Sequence, residues 1–114
     1  MDVPAPLARA ARLALDRKAR DAVLLDLRNV SNATDYFLIL SGNSDTHVKG
    51  VAEYVLAELR REGVRANHVE GLRSGRWVLI DYIDFVVHVF HPEARSFYQL
   101  ENLWGDAPQE RLTE

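Results

Sequence analysis

The side chains able to do chemistry crowd into one run, RWVLIDYIDFVVHVFH, Arg76 to His91, which holds two carboxylates, two imidazoles and a tryptophan. Asp81 and Asp84 raise the question of a metal site or a general acid–base pair. Metal-dependent phosphoryl transfer needs carboxylates converging within ~4 Å of shared ions, commonly from alternating strand positions plus a third acid elsewhere. Here the spacing is i, i+3 across a turn, and the third acid, Asp26, must come from another strand. Two acids at a hairpin tip are ordinary turn formers left in water, so no metal and no cofactor is expected. His88 and His91 fall on opposite pleats and do not make a chelate. With no cysteine and no nucleophile elbow around Ser41, Ser44, Ser74 or Ser96, triad chemistry has nothing to stand on. SGNSD, Ser41 to Asp45, is a strand-to-helix junction whose N–H groups could cradle a phosphate. Gly42 for the turn and Ser44 for the cap account for it without one.

The elements that must position these groups are short. Pro4 and Pro6 precede a helix expected over residues 5–19, with Leu7, Ala10, Ala11 and Ala14 at helical spacing. Ala22 to Arg28 and Asp35 to Ser41 read as strands joined by the loop NVSNAT, hence antiparallel neighbours. Ser44 caps a helix in which Val48, Val51, Ala52, Val55, Leu56 and Leu59 form one buried face, and Gly63 ends it. VRANHVE is a weaker strand, and strand–helix–strand connections of this length favour a right-handed parallel crossover, which makes the sheet mixed. RWVLIDY and DFVVHVFH form a hairpin. Pro92 opens a last helix, PEARSFYQLENLW, closed by Gly105, and residues 106–114 read as a frayed polar tail. The sum is an α/β (α+β) chain, α-β-β-α-β-β-β-α, with a five-stranded mixed sheet and three helices in one domain spanning residues 1–114.

A turn at Tyr82–Ile83 would pair Asp81 with Asp84, Ile80 with Phe85, Leu79 with Val86, Val78 with Val87 and Trp77 with His88. Val78, Ile80, Phe85, Val87 and Val89 then share one apolar face, the side that helices cover. Trp77, Leu79, Asp81, Asp84, Val86, His88 and Phe90 share the other. An aromatic and aliphatic strip ending in two carboxylates marks either a face closed by another helix or a contact site. Tryptophan flanked by acids suits a basic, partly apolar partner. His88 is expected to pack against Trp77, with a pH-sensitive hydrogen bond whose partner the sequence does not name.

Composition is that of an ordinary soluble globular chain. A chain of 114 residues buries roughly 65% of its unfolded surface without staples. It carries 47% hydrophobic and 27% charged residues, no cysteine and a formal charge of −3. No apolar run approaches the ~18 residues of a membrane span, the N-terminus lacks the pattern of a secretory signal, and cytoplasm is the default compartment. Mild acidity makes a basic protein the easier partner and argues against direct nucleic-acid binding. Basic residues do cluster at Arg9 to Arg20 and Arg60 to Arg65, as solvated helix faces commonly do.

Two blocks, TDYFLILSGNSDTHVKGVAEYV (Thr34 to Val55) and VEGLRSGRWVLIDYIDFVVHVFHPEARSFYQLENLWG (Val69 to Gly105), resemble the ribosomal silencing factor family, also called Iojap or RsfS. The resemblance runs from Asp26 to Gly105. It implies a fold related to nucleotidyltransferases and a non-enzymatic role. That role is binding ribosomal protein fourteen of the large subunit, blocking small-subunit joining and so repressing translation when nutrients are short. It also implies a homodimer when free. On this reading Trp77, Leu79, Asp81, Asp84 and His88, with Glu70 and Phe90, form the ribosomal-protein-binding face. The family commonly has Gly where this chain has Ile83; a β-branched residue there points to a wider turn, while the face assignment survives any even shift of register. The rival reading is a nucleotidyltransferase using Asp26, Asp81 and Asp84 with magnesium, but no D-x-D or D-x-E alternation follows SGNSD. An oligomerising scaffold, with the open face as its self-interface, is the third.

Overall fold

The computed structural model describes residues 2–112. Helix α1 is Ala5–Asp16, preceded by Pro4 and with Pro6 in its first turn; β1 is Arg20–Asp26 and β2 is Tyr36–Ser41. Helix α2, Asp45–Arg61, starts where the Ser44 hydroxyl accepts the His47 backbone N–H at 3.1 Å, and stops before Gly63, whose φ is 88°. Then come β3 (His68–Glu70), β4 (Trp77–Asp81), β5 (Phe85–Phe90), α3 (Pro92–Tyr98), α4 (Leu100–Leu103) and β6 (Gln109–Arg111).

The strands form one mixed sheet in the order β3-β4-β5-β2-β1-β6, with β2 and β5 parallel at its centre and every other pair antiparallel. Two antiparallel steps from β5 make β3 parallel to β2, so the β2–α2–β3 connection is the parallel crossover expected. Alternation then sorts the side chains. Leu38, Leu40, Val78, Ile80, Val87 and Val89 lie under α1 and α2, packed against Leu7, Ala10, Val48, Val51 and Leu59. On the opposite face Val23, Leu25, Ile39 and Phe90 pack with Ala94 of α3, Leu100 of α4 and Ala107.

Three expectations need correction. The sheet has six strands: Gln109–Arg111, within the expected frayed tail, pairs antiparallel with Val23–Leu25. A short polar strand suits a sheet edge, and this one covers the backbone of an otherwise open, apolar β1. Residues 113 and 114, the rest of the tail expected to fray, lie outside the described residues. The last helix is not continuous, because Gln99 sits in the left-handed region (φ 46°, ψ 51°) and divides α3 from the single turn of α4. The break lets Leu100 bury beside Phe90, and it is fastened by the Arg95 guanidinium, which donates to Glu101 Oε2 at 2.8 Å and to Ser41 Oγ at 2.9 Å.

The third correction is at the hairpin tip. Asp81 pairs with Val86, Leu79 with His88 and Trp77 with Phe90, a register two residues from the expected one. The tip is not wider; it has moved along by one, to Ile83–Asp84, with Tyr82 N–H donating to the Phe85 carbonyl at 2.9 Å. The shift is even, so the face assignments of the strand residues stand, while Asp84, expected on the second face, falls in the turn. Two side chains select it: Asp81 Oδ1 accepts the Ile83 N–H at 2.7 Å, and the Thr34 hydroxyl donates to the Ile83 carbonyl at 2.9 Å.

Candidate functional site

The face of β4 and β5 turned away from α1 and α2 is covered at one end only. At the covered end Phe90 is fully buried, and Trp77 stacks on it with ring centroids 4.9 Å apart. Tyr98 of α3 closes over Trp77 at 4.8 Å. Toward the Asp81 end no helix follows, and a groove of about 360 Å³ opens between β3, β4, β5 and the β1–β2 loop. Its floor is Leu79, Val86, Phe37 and the buried His88, one wall is Trp104, and its polar rim includes Glu70, His68 and Asp81. Among the described residues no lysine or arginine lines it. Register explains the assembly, since Glu70 pairs with Leu79, and His68 with Asp81, across the β3–β4 ladder.

His88 is the chemical centre of the floor. The Trp77 indole N–H donates to its Nδ1 at 3.0 Å. An indole nitrogen can only donate, so Nδ1 is unprotonated and the neutral ring carries its hydrogen on Nε2. That Nε2 is buried and has no hydrogen-bond partner. Phe37 stands nearly perpendicular to the ring at 4.4 Å. Burial among these rings disfavours the charged form, and the His88 pKa falls from 6.5 to about 3. It is thus a fixed neutral acceptor that sets the Trp77 ring in place, not a proton shuttle near neutral pH.

The expected site residues therefore separate. Leu79, Asp81 and Glu70 come together at the groove. Asp84 is exposed at the hairpin tip, where its carbonyl accepts the Asp35 N–H at 3.0 Å. Trp77 is half-buried at the border. Phe90 and His88 lie beneath the surface, 0% and 3% exposed, and support the face from within. Sequence reasoning missed Phe37, His68 and Trp104, which the parallel β2–β5 pairing, the β3–β4 ladder and the chain's return after α4 bring here in turn. It also missed the apolar side chains that α3 and α4 leave in water: Phe97 is 80% and Leu103 73% exposed.

The acids of the enzyme reading do not converge. Asp26 is on β1, three strand spacings from β4, ~14 Å at ordinary inter-strand distances. It is engaged by Arg28, whose Nη2 lies 2.7 Å from Oδ2 and whose Nε lies 3.0 Å from Oδ1. That side-chain bond, with the Arg28 backbone N–H, holds the Asp26 carboxyl below its ordinary range. Among the described residues no three histidine or acidic side chains group closely enough to hold a metal ion. At SGNSD, the Asn43 N–H is taken by His47 Nδ1 at 2.8 Å, while His47 Nε2 bonds the Arg17 carbonyl at 2.7 Å. The junction is a clip between α1 and α2. Among the described residues no helix is long and apolar enough to cross a membrane.

Comparison with known proteins adds the family. Residues 1–114 match the family model described as "Ribosomal silencing factor during starvation". The chain is 46% identical over 93 residues to ribosomal silencing factor RsfS of Bacillus subtilis, a match covering 82% of this chain and 79% of that protein. It is 43% identical over 97 residues to RsfS of Halalkalibacterium halodurans, covering 85% and 83%. A crystal structure of a Chromobacterium violaceum protein superposes with a TM-score of 0.87 at 34% identity, covering 92% of this chain and 88% of that one. Matched along its whole length and in its fold, the chain belongs to the ribosomal silencing factor family, RsfS.

Proposed function

We propose that this protein docks through the groove on the large ribosomal subunit, with ribosomal protein fourteen of that subunit as its direct partner, and that its bulk then keeps the small subunit away. The observation that carries this reading is the half-covered face: an apolar floor left open, with Glu70 and Asp81 in its lining, no lysine or arginine among the described residues that line it, and Asp84 exposed at the adjoining hairpin tip. Such a surface suits a basic protein with an apolar centre, the carboxylates steering the encounter and the buried floor supplying affinity. Blocking is steric, so translation is repressed in the cytoplasm without a reaction or a cofactor. In the free protein a second copy of the chain is the natural cover for Phe97, Tyr98 and Leu103.

Glu70→Lys with Asp84→Lys reverses two exposed rim charges while leaving the Asp81 cap and the Trp77–His88 bond intact. Co-sedimentation with purified large subunits should weaken at least about tenfold at physiological salt, with less difference from wild type at high salt, and small subunits should bind neither protein. Unchanged pelleting of the double variant would move the contact surface elsewhere.

A further inference from the structure

We infer that Ile83 is a contact residue of the docking surface, an aliphatic knob on the groove rim that inserts into an apolar recess of the same basic partner; this rests on the docking reading above. Its backbone φ is 73°, a region that β-branched residues almost never occupy because Cβ crowds the following carbonyl. The conformation is imposed from outside the residue. Its N–H is held by Asp81 Oδ1, its carbonyl by the Thr34 hydroxyl, and the next carbonyl by the Asp35 N–H. Within the turn, Asp84 N–H donates back to the Tyr82 carbonyl at 2.9 Å, closing a γ-turn about Ile83. Any residue at this position is forced into the same geometry, and glycine or asparagine would meet it with less strain.

The side chain gains nothing inside the protein in exchange. It is 61% exposed and belongs to neither hydrophobic cluster. Two of its three clamps, Thr34 and Asp81, also line the groove, so Ile83 stands at the groove's edge beside the Asp84 carboxylate. An exposed isoleucine alone is ordinary, but backbone strain held in place by surrounding structure at such a residue is the pattern of a position kept for an external contact. The recess it fits is aliphatic and flanked by lysine or arginine, in keeping with the carboxylates on either side.

The test uses Ile83→Gly and Ile83→Leu in the full chain, with Tm by calorimetry and Kd for purified large subunits. Ile83→Gly should raise Tm by about 4 °C as the strain is relieved and weaken binding about tenfold, since most of a buried aliphatic side chain is lost from the contact. Ile83→Leu, apolar without the β-branch, should bind within about twofold of wild type. A glycine variant that is more stable and binds as wild type overturns the inference, as does one whose Tm does not rise. Wild-type protein that binds no large subunits would instead refute the docking reading itself, a result distinct from either.

Discussion

Lowering the pH from 7 to 5 perturbs the Trp77–His88 pair in a way that can be worked out from the structure. His88 is 3% exposed and receives the Trp77 indole N–H on Nδ1, so a proton there would break that bond and place a charge among Trp77, Phe37 and Phe90. The folded state resists protonation down to about pH 3, while the unfolded chain titrates near 6.5. Between those values the unfolded state holds one proton more than the folded, so stability rises with pH and is lost as pH falls. The slope from this group is about 1.4 kcal/mol per pH unit, and from pH 6.5 to 5.0 the loss is about 2 kcal/mol. Against a typical total of about 5–15 kcal/mol that is readily measured. His88→Gln retains an acceptor for the indole and removes the titrating nitrogen. Urea unfolding of both proteins at pH 7, 6 and 5 should give curves that separate at neutral pH and converge by about 2 kcal/mol at pH 5. The Asp26 carboxyl, held low by Arg28, acts in the same direction near and below pH 4 but is common to both proteins and cancels. Parallel pH profiles would show that His88 is not held neutral by burial, and the account of the groove floor would fail with it.

Two further substitutions probe what supports the groove. Gly71 has φ 88° and a side chain there would collide with the Trp77 carbonyl oxygen, so Gly71→Ala should lower unfolding stability by at least about 2 kcal/mol and loosen β3 from β4; an unchanged urea midpoint would contradict this. Arg95→Met leaves the partly buried Glu101 carboxylate without its guanidinium and should cost about 2 kcal/mol, much of it regained when Glu101→Gln is added, in a double-mutant cycle. Additive effects in that cycle would mean the pair does not fasten the α3–α4 break.

The parts legible in the sequence are those written in its periodicity. Val78, Ile80, Phe85, Val87 and Val89 alternate strictly, so the buried face of the hairpin survived an error in the turn; period two tolerates a slip of two. The slip came from two contacts, one local and unread, the Asp81 carboxylate folding back on the Ile83 N–H of its own turn, and one that no local pattern carries, the Thr34 hydroxyl reaching from another loop to the Ile83 carbonyl. β6 escaped notice because an edge strand can be polar on every residue, as Gln109, Glu110 and Arg111 are. The break at Gln99 carries no glycine to announce it, and its fastening joins Arg95 to Ser41, far apart in the chain. Of the residues that line the groove, Leu79 and Asp81 followed from the pleat, whereas Glu70 reaches it through a β3–β4 ladder that no local pattern announces, and placing His88 and Phe90 below the surface required knowing the packing over them.

The parallel seam between β2 and β5 bears on synthesis of the chain. When Tyr36–Ser41 leaves the ribosome, β1 can pair with one of its edges at once, since only the NVSNAT loop and its flanks intervene. The other edge has no partner until Phe85–Phe90 has been made, with α2, β3 and β4 all translated in between. Throughout that interval YFLILS presents open backbone donors and acceptors beside large apolar side chains, the type of nascent segment most prone to pair with another chain. The last third of the sequence therefore completes the centre of the sheet rather than extending its rim, and a chain stalled before residue 90 would carry an unprotected middle.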